Sequence, residues 1–485
     1  MNRNSTTTTS EKRANKIIEA ISNNNANLFP PERKTKLCSM ASSPLVFYRG
    51  TNHLYWADFA EPNPRHSFST FGCEETRTWI QGDLHAYNYG SFGNADGKIV
   101  YDLNDFDESI YADYQYDVWR MAVSIVLVAR QNKDLPKSQL EKVIDAFAYT
   151  YLDTLDSLER EKRKNTKKLY MNSRNAFGHL RRFLKSVEKN YSRAGDSDAK
   201  CILYKKGMLN RWTLIDDGSA NFDIKNKKDK LERVDPDTRD IIEKAIAGYR
   251  GTLKDKALAE KDRYFKVKDV AFRLRAGTGS LGTPRFYVLI RGGNSGHLKH
   301  YRILDVKLQS EPTPYQYLDE ETRNKYKKDY GENHALRHAE AYRKLTYRTD
   351  RFLGWMHLES LTVSDGENEH DASGYYSVRE RSPFKEAFPC EALDTRTAFA
   401  EMAEQWAEVL ATDHTRANPV FPNHVLKKTN DKEKDFVHHV RDIAFEYADQ
   451  VQVDWASFKA FPELNAYKCK QLAFQPPRYR GMLPR

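Results

Sequence analysis

The segments QGDLHAYNYG (81–90) and IVYDLNDFDES (99–109) carry the residues on which our interpretation of the fold rests. Asp83 and Asn88 lie in a loop flanked by glycines, and Asp105 follows an apolar run with the character of a strand. Phosphoryl transfer needs one carboxylate that orients the attacking hydroxyl and accepts its proton, together with a carboxylate and an amide oxygen that hold Mg²⁺. The pattern therefore predicts Asp83 as the catalytic base and Asn88 with Asp105 as the metal ligands.

The same residues have a simpler interpretation, because Asp and Asn are also frequent in turns. A turn over 94–97 and a strand over 98–103 are predicted between the two segments, so each motif alone fits an Asx turn beside a hairpin. The conjunction of the motifs favours the catalytic interpretation. Asp102 competes with Asp105 for the role of metal carboxylate.

A second constellation begins with the glycine-rich run AGTGSLGT (276–283), which lies between two strand-like segments. The pattern is weak alone, and in a dinucleotide-binding fold it should open a helix. Pro284 and the apolar run after it favour a hairpin, whose glycines let backbone N–H groups approach phosphate oxygens closely. The residues predicted to bind nucleotide phosphates here are Gly277, Thr278, Gly279, Ser280 and Gly282.

The next predicted strand, ILDVKLQS (303–310), contains Lys307. Alternation places this lysine on the face opposite to the apolar residues of the strand. A lysine in such a strand is costly without an anionic partner, and kinases direct one at nucleotide phosphates while pairing it with a helical Glu. We expect Lys307 to bind nucleotide and Glu340 to be its partner, with Glu320 and Glu321 as rivals; a lysine reaching solvent is the alternative.

The first constellation resembles the catalytic region of aminoglycoside phosphotransferases and choline kinases. Their GDLHxxN loop matches residues 82–88, and their metal-binding Asp-Phe pair matches Asp105 and the residue after it. Asp113 and the Tyr-Asp-Val at 116–118 look like the segment that follows in those enzymes, and this spacing favours Asp105 as the metal ligand. One departure is Gln81, where those kinases have a histidine that mainly supports the loop.

The order of the motifs departs from that of an ordinary kinase, in which the glycine-rich loop and the lysine precede the catalytic loop. Here they follow it. If the resemblance is not accidental, it implies a circular permutation, which a fold tolerates when its old termini are close and exposed. The helix that normally precedes the catalytic loop is then expected near the C-terminus, and a predicted helix over 394–415 meets this requirement.

Most of residues 40–457 is similar to the bacterial family catalogued as domain of unknown function 2252. The resemblance implies a kinase-like site but supplies no substrate. Two departures, Tyr342 and Pro383, weaken the inferred contacts near the Lys307 strand. The matching segments are SPLVFYRGT (43–51), GDLHAYNYG (82–90), YDLNDFDES (101–109), YDVWRMAVS (116–124), RAGTGSLGT (275–283), ILDVKLQS (303–310), DRFLGWMHL (350–358), YYSVRE (375–380), LATDHTRAN (410–418) and FEYADQVQVDW (445–455).

Two further residues have a functional and a structural interpretation. Arg49 lies upstream of the catalytic segment and is a candidate for binding phosphate, although an arginine there also fits the cap of a turn. His414 falls at the end of a predicted helix, where stabilising the helix C-terminus is the favoured role over catalysis.

Composition limits the class of protein more than it identifies it. The chain has 485 residues, a net charge of +10 and a pI near 9.0, which favours anionic partners. The apolar run over 121–129 is too short to span a bilayer. The first residues have no apolar core of a secretory signal. Five scattered cysteines fit neither a disulfide framework nor a zinc site, so we expect a reducing, cytoplasmic setting.

A basic tract over 160–206 contains fifteen Lys or Arg against four acidic residues. A solvated helical face is the favoured interpretation. The alternative interpretation is a binding surface for an anionic substrate or nucleic acid. The aromatic residues of the tract are too sparse to indicate base stacking.

Together these patterns predict an α+β, two-lobed, protein-kinase-like fold in circularly permuted order, with a mainly helical large lobe and a smaller antiparallel-sheet lobe. The expected divisions are a flexible segment at 1–39, the large lobe at 40–261, the nucleotide-binding small lobe at 262–391, helices completing the large lobe at 392–470 and a tail at 471–485.

The predicted function is phosphoryl transfer from ATP, with Mg²⁺, to a hydroxyl of a small molecule or protein. Three alternatives remain open. The same fold would also support transfer of AMP, or nucleotide binding without catalysis in a sensor or adaptor. The basic tract leaves nucleic-acid binding as the last of them.

Overall fold

A computed structural model of the chain mixes α-helices with antiparallel β-sheets, as the sequence predicts. In the described part of the chain no helix is long and apolar enough to cross a membrane. The structure describes residues 9–28, 30–60, 68–133, 135–160, 169–192, 212–216, 219–274, 281–292, 301–364, 369–382, 384–467 and 469.

The helices form most of the larger part of the fold. They are α1 (Thr9–Asn24), α2 (Pro30–Met40), α3 (Pro44–Gly50), α4 (Asn52–Ala60), α5 (Gln115–Asn132), α6 (Lys137–Arg160), α7 (Gly178–Ser192), α8 (Pro236–Gly251), α9 (Lys256–Ala259), α10 (Glu320–Tyr330), α11 (His334–Leu345), α12 (Arg396–Ala417), α13 (Phe421–Thr429), α14 (Glu433–Lys459) and α15 (Pro462–Ala466).

The strands pair antiparallel throughout the described residues. They are β1 (Arg77–Ile80), β2 (Tyr89–Gly93), β3 (Ile99–Leu103), β4 (Ile110–Asp113), β5 (Thr213–Asp216), β6 (Ser219–Phe222), β7 (Leu231–Arg233), β8 (Val267–Arg273), β9 (Arg285–Ile290), β10 (Arg302–Leu308), β11 (Gly354–Leu358), β12 (Thr362–Ser364), β13 (Glu369–Asp371), β14 (Gly374–Glu380) and β15 (Glu386–Ala387).

One large hydrophobic core lies under the helical part, where α5 packs against α14 and α6 packs against α12. Helix α5 is buried along nearly its whole length because its middle is apolar on every side. The apolar pattern of the sequence predicts helices over 116–131 and 137–161, and these and the helix predicted over 394–415 are confirmed within a few residues. The Asp-Pro pair at 235–236 predicts a helix start, which is confirmed because the Asp235 carboxylate accepts a hydrogen bond of 2.8 Å from the Thr238 amide.

The N-terminal segment differs from the expectation of flexibility at 1–39. From Thr9 onward it forms α1 and α2, and Ile17 and Ile21 enter the main core. Arg13 joins α1 to α4 and α14 through ion pairs with Asp58 (2.5 Å) and Asp454 (2.6 Å). The polar composition of the segment gave no signal of this packing, because few apolar side chains, together with the two ion pairs of Arg13, join the described part of the segment to the core.

A six-stranded sheet in the order β11-β14-β10-β9-β8-β7 forms the smaller part. Its strands alternate as predicted. Leu304 and Val306 of β10 face a core closed by α8, whereas Ile303 faces a second cluster around Trp212. Asp305 and Lys307 of β10 therefore lie on the face turned away from α8.

Two predicted boundaries are corrected by the sheet. Strand β7 and helix α8 pack with the sheet, so the smaller part begins well before residue 262. Residues 354–358 form the edge strand β11, although the sequence pattern predicts helix over 320–358. A propensity-based prediction missed this strand because it is short and its pairing partner, β14, lies later in the chain.

The cysteines also depart from the expectation. Cys38 of α2 forms a disulfide with Cys469, across a separation of 431 residues. Spacing arguments apply to neighbouring cysteines, so they give no signal for a pair at opposite ends of a chain. The predicted reducing, cytoplasmic setting therefore loses the support that the cysteines gave it.

Candidate functional site

A cavity of about 360 Å³ lies where the polar face of β10 meets the loops after β1 and β3. Segments far apart in the sequence converge on it. Its walls include four of the residues predicted to form the site and two of their neighbours: Asp83, Asn88, Asp105, Asp107, Thr283 and Lys307. These residues bring carboxylates, an amide and a lysine into one cavity.

Only part of the glycine-rich loop belongs to the described residues. Strands β8 and β9 are antiparallel neighbours, so the connection between them is a hairpin, as expected. Gly277, Thr278, Gly279 and Ser280 lie outside the described residues. Gly282 is described, with a φ of +88° that favours glycine, and it lies against Leu28 of the N-terminal segment.

The loop after β1 is held from below by the helical core. The amides of Gln81 and Gly82 donate to the Asp117 carboxylate at 2.7 and 3.0 Å. Asp117 belongs to α5, and His414 of α12 approaches it at 3.4 Å. Gly82 has a φ of +82°, and a side chain there would collide with the Glu108 carbonyl. His414 therefore supports the loop through Asp117.

Asp83 forms an ion pair with Arg120, a residue of α5 that is 1% exposed. The arginine Nε donates to the carboxylate at 3.0 Å. Burial raises the pKa of Asp83 to about 6, even though Arg120 opposes the rise. Within the described residues the second carboxylate oxygen accepts no hydrogen bond. This oxygen remains able to accept a proton from a ligand.

Asn88 and Asp105 present oxygens to the same space. The Asn88 side-chain NH₂ donates to the Asp83 carbonyl at 3.0 Å, and its side-chain carbonyl oxygen accepts no hydrogen bond from the described residues. Gln81 joins the two loops, because its side chain accepts from the Asp83 amide at 2.8 Å and donates to the Asp105 carbonyl. Gln81 thus supports the loop at the position where the sequence resemblance leads us to expect a histidine.

The Asp105 carboxylate accepts no hydrogen bond from the described residues, and burial together with Asp107 raises its pKa. A carboxylate that receives no hydrogen bond from the described residues and lines the same cavity as an amide side chain suits Mg²⁺, which binds through few protein oxygens and keeps several waters. Among the described residues no group of three or more His, Cys, Asp or Glu is arranged around a metal position. The donor set therefore fits Mg²⁺ better than a metal enclosed by protein ligands.

Asp102, the competitor, lies on the other side of the fold. It is 2% exposed and lines a separate cavity of about 300 Å³ with Asp413 and Arg416. The pKa of Asp413 is raised well above its usual range by burial and by Asp102. The alternation of β3 accounts for the separation, because Asp102 is inside the strand and Asp105 follows its end.

Lys307 is paired, but with Asp107 rather than with Glu340. Gln309 donates to the same carboxylate at 3.0 Å, and the pKa of Asp107 is held far below its usual range although burial opposes this. Glu340 instead accepts from the Tyr330 hydroxyl at 2.8 Å. Helix α11 approaches the Lys307–Asp107 pair through His338. Glu340 is two positions later and therefore points about 200° away around the helix axis.

The loop from Asp105 to Ser109 is anchored by Arg337 of α11. This arginine is 1% exposed and donates to the carbonyls of Ser109 at 2.5 Å and Asp107 at 2.6 Å. The Phe106 ring stacks on Tyr342, with centroids 4.6 Å apart. Tyr342, a departure from the expected family pattern, thus packs against the loop of the site.

Sequence reasoning missed the cations that hold the site. Arg120 lies in an otherwise apolar helix, and an arginine in such a position signals a buried anionic partner. Arg337 gave no comparable signal, because it falls in a helix with many charges. Asp107 was part of the quoted motif, but its pairing with Lys307 depends on tertiary contacts.

The fold and the cavity define an α+β protein with a deep polar cleft between a helical part and an antiparallel sheet. The sequence model of the family described as "Uncharacterized protein conserved in bacteria (DUF2252)" matches residues 29–461, and the chain belongs to this family. Neither the curated proteins nor the solved structures contain a match to the chain.

Proposed function

We propose that this protein is a kinase-like phosphotransferase that uses ATP and Mg²⁺ to phosphorylate a hydroxyl of a small molecule or protein. The observation that carries the proposal is the shared cavity of Asp83, Asn88, Asp105 and Lys307. Residues of these types in one cleft supply what phosphoryl transfer requires, which is chiefly positioning and compensation of charge.

Each residue has a distinct role in this proposal. Asp83 orients the acceptor hydroxyl and takes its proton as the acceptor oxygen bonds to the γ-phosphorus and ADP leaves. Lys307 binds the phosphates and is kept charged and oriented by Asp107. Asn88 and Asp105 would hold Mg²⁺, which supplies compensation of the phosphate charge when bound.

A protein-kinase-like fold in circularly permuted order is part of the same proposal. Its support is the position of α12, which follows the sheet in the chain yet lies beside β1. Thr78 of β1 donates to the His414 carbonyl at 2.9 Å, and Asn418 donates to the Arg77 carbonyl at 2.9 Å. A late helix therefore supports the strand that leads into the loop of Asp83. We also propose a cytoplasmic location, where ATP is abundant.

Calorimetric titration with ATP tests the proposal, using Asp105→Ala and Asp102→Asn as a matched pair. The wild-type protein is expected to bind ATP only when Mg²⁺ is present. Asp105→Ala should weaken this binding by about tenfold or more, since a charged ligand is lost. Asp102→Asn alters a carboxylate three residues earlier that faces another cavity, and it should leave the affinity unchanged.

Binding that is independent of Mg²⁺, or equal in the two variants, would contradict the proposed site. Mass spectrometry of products separates the alternatives by the mass added, because AMP and phosphate differ. If Asp83→Asn leaves cellular function intact while ATP still binds, the protein is a sensor or adaptor.

A further inference from the structure

The cavity has basic side chains at both of its ends, and Lys385 is one of those at the sheet end. At the sheet end, Lys307 is neutralised by Asp107. At the end formed by α2, α3 and α4, the walls include Lys36, Arg49 and His53. The second end has no role in the proposed binding of nucleotide, so its polar groups need a separate explanation.

Arg49 is the central group of that end. Its guanidinium lies over the Tyr87 ring, 4.5 Å from the centroid, and makes no hydrogen bond to the described residues. Burial lowers the pKa of its side chain. The other arginine beside the loop, Arg120, is bonded to Asp83. A planar guanidinium fixed on a ring presents a fork of donors that matches a carboxylate or phosphate.

Lys36 adds a second cation to the same wall. It is 5% exposed, and burial lowers its pKa to about 8, so it is largely charged at neutral pH. The acidic groups that act on it are Glu108 and Asp83. Burial raises the pKa of Glu108 to about 7, which leaves it partly protonated. The repulsion that Glu108 exerts on a bound anion is thereby reduced.

Two neutral groups complete the wall with hydrogen-bonding capacity. Burial lowers the pKa of His53 to about 3, so its imidazole is neutral, and its Nε2 is buried without a partner in the described chain. The Asn52 side-chain oxygen is likewise buried and unpartnered among these residues. Such a wall suits a polar ligand, since an apolar one would leave these groups unsatisfied.

We propose that this end of the cavity binds an anionic group, a phosphate or a carboxylate, on the hydroxyl acceptor itself, through Arg49 and Lys36. The acceptor class is then a small hydroxylated anion, such as a sugar phosphate or a hydroxy acid. This assignment rests on the proposed phosphotransferase function. Arg49 is close enough to Asp83 to oppose the rise in its pKa, so an anchored acceptor would lie next to the base.

The test is calorimetric titration of the full chain with inorganic phosphate, with and without a saturating non-hydrolysable ATP analogue and Mg²⁺. Phosphate should bind in both conditions. Arg49→Gln should weaken it by about tenfold or more, and Arg49→Lys, which keeps the charge but loses the fork, by less. Lys36→Gln should also weaken it. Lys244→Gln, which changes an exposed lysine of α8 that is paired with Asp240, is the matched control and should change nothing.

The outcomes separate the sources of the anion. If the analogue abolishes phosphate binding and Arg49→Gln weakens the analogue, Arg49 serves the γ-phosphate of the nucleotide and the inference is overturned. Equal phosphate affinity in wild type and both Arg49 variants also overturns it. If the analogue does not bind wild type while phosphate binds through Arg49, the anion site stands and the proposed nucleotide function fails.

Discussion

At the scale of single residues, two opposing influences act on the pKa of Asp83, the proposed base. Burial raises its pKa to about 6 while Arg120 holds the pKa down. A base must be ionised to accept a proton, so activity should be lost as the pH falls through about 6. The measurement is the pH dependence of Mg²⁺-dependent phosphate release from ATP, where water replaces the acceptor.

Arg120 lowers the pKa of Asp83, and the direction of this effect makes the predicted pH dependence specific to Asp83. The cation stabilises the ionised carboxylate, so Arg120→Gln should raise the pKa and move the acid limb of the profile to higher pH. Arg130→Gln, in the last turn of the same helix and paired with Asp449, is the control. An acid limb in the same position for wild type and Arg120→Gln would show that Asp83 is not the titrating base.

The partner of Lys307 can be tested by double-mutant cycles on the free energy of unfolding. Combining Lys307→Met with Asp107→Asn should give a coupling energy of about 1 kcal/mol or more, because the partly buried ion pair is lost in either single variant. The cycle of Lys307→Met with Glu340→Gln should give about zero. A larger coupling to Glu340 would restore the pairing expected from the sequence.

These residues also show how far local sequence carries a prediction of the site. Asp83, Asn88, Asp105 and Lys307 were identifiable because each stands in a short segment of recognisable chemistry. Their partners were not, because the angular position of a residue on a helix relative to a distant loop is a tertiary property. On α11 a rotation of about 200°, over two residues, separates His338, which contacts Asp107, from Glu340, the predicted partner of Lys307.

At the scale of elements, α11 is the support of the loop from Asp105 to Ser109. Arg337→Met should destabilise the protein by about 3 kcal/mol, since it leaves buried carbonyls without donors. It should also increase hydrogen exchange in that loop and weaken Mg²⁺-dependent binding of ATP. Unfolding by denaturant, hydrogen exchange and calorimetry measure the three effects.

Arg343→Met is the matched control on the same helix, because Arg343 donates to the Leu353 carbonyl at 2.7 Å, outside the cleft. It should lower stability without selective loss of exchange protection in the loop. If the two variants affect the loop and ATP binding equally, α11 supports the fold in general and has no special connection to the site.

Long elements with a clear period were predictable, and short or composite ones were not. Apolar periodicity in the sequence predicts helices α5, α6 and α12 and strands β8 to β10. The edge strand β11 does not, since its identity depends on pairing with β14. In the N-terminal segment the sequence predicts a helix only at 11–21, because few apolar residues, Ile17 and Ile21 among them, mark the buried face of α1.

At the scale of the whole molecule, the disulfide between Cys38 and Cys469 ties the C-terminal end to the wall that contains Lys36. Cys73 and Cys390 are thiols among the described residues, and Cys201 lies outside them. With this one disulfide among the five cysteines, we expect thiol titration of the unreduced, denatured chain to give three groups, and five after reduction. Cys469→Ser should lower the free energy of unfolding by about 4 kcal/mol, because a long loop is no longer closed.

Titration of all five cysteines without reductant would show that the disulfide does not form in solution. Equal stability of wild type and Cys469→Ser under oxidising conditions would show that it contributes nothing. The matched control is Cys73→Ser, which changes a partly buried cysteine outside the disulfide and should leave the free energy of unfolding nearly unchanged.

The convergence of distant segments on one cavity is the central claim, and a crystal structure with a non-hydrolysable ATP analogue and Mg²⁺ tests it most directly. We predict that the ion contacts the side-chain oxygens of Asn88 and Asp105. Lys307 should contact the phosphates, and Asp83 should face the γ-phosphate. An ion beside Asp102 and Asp413, or a nucleotide bound outside this cleft, would contradict it.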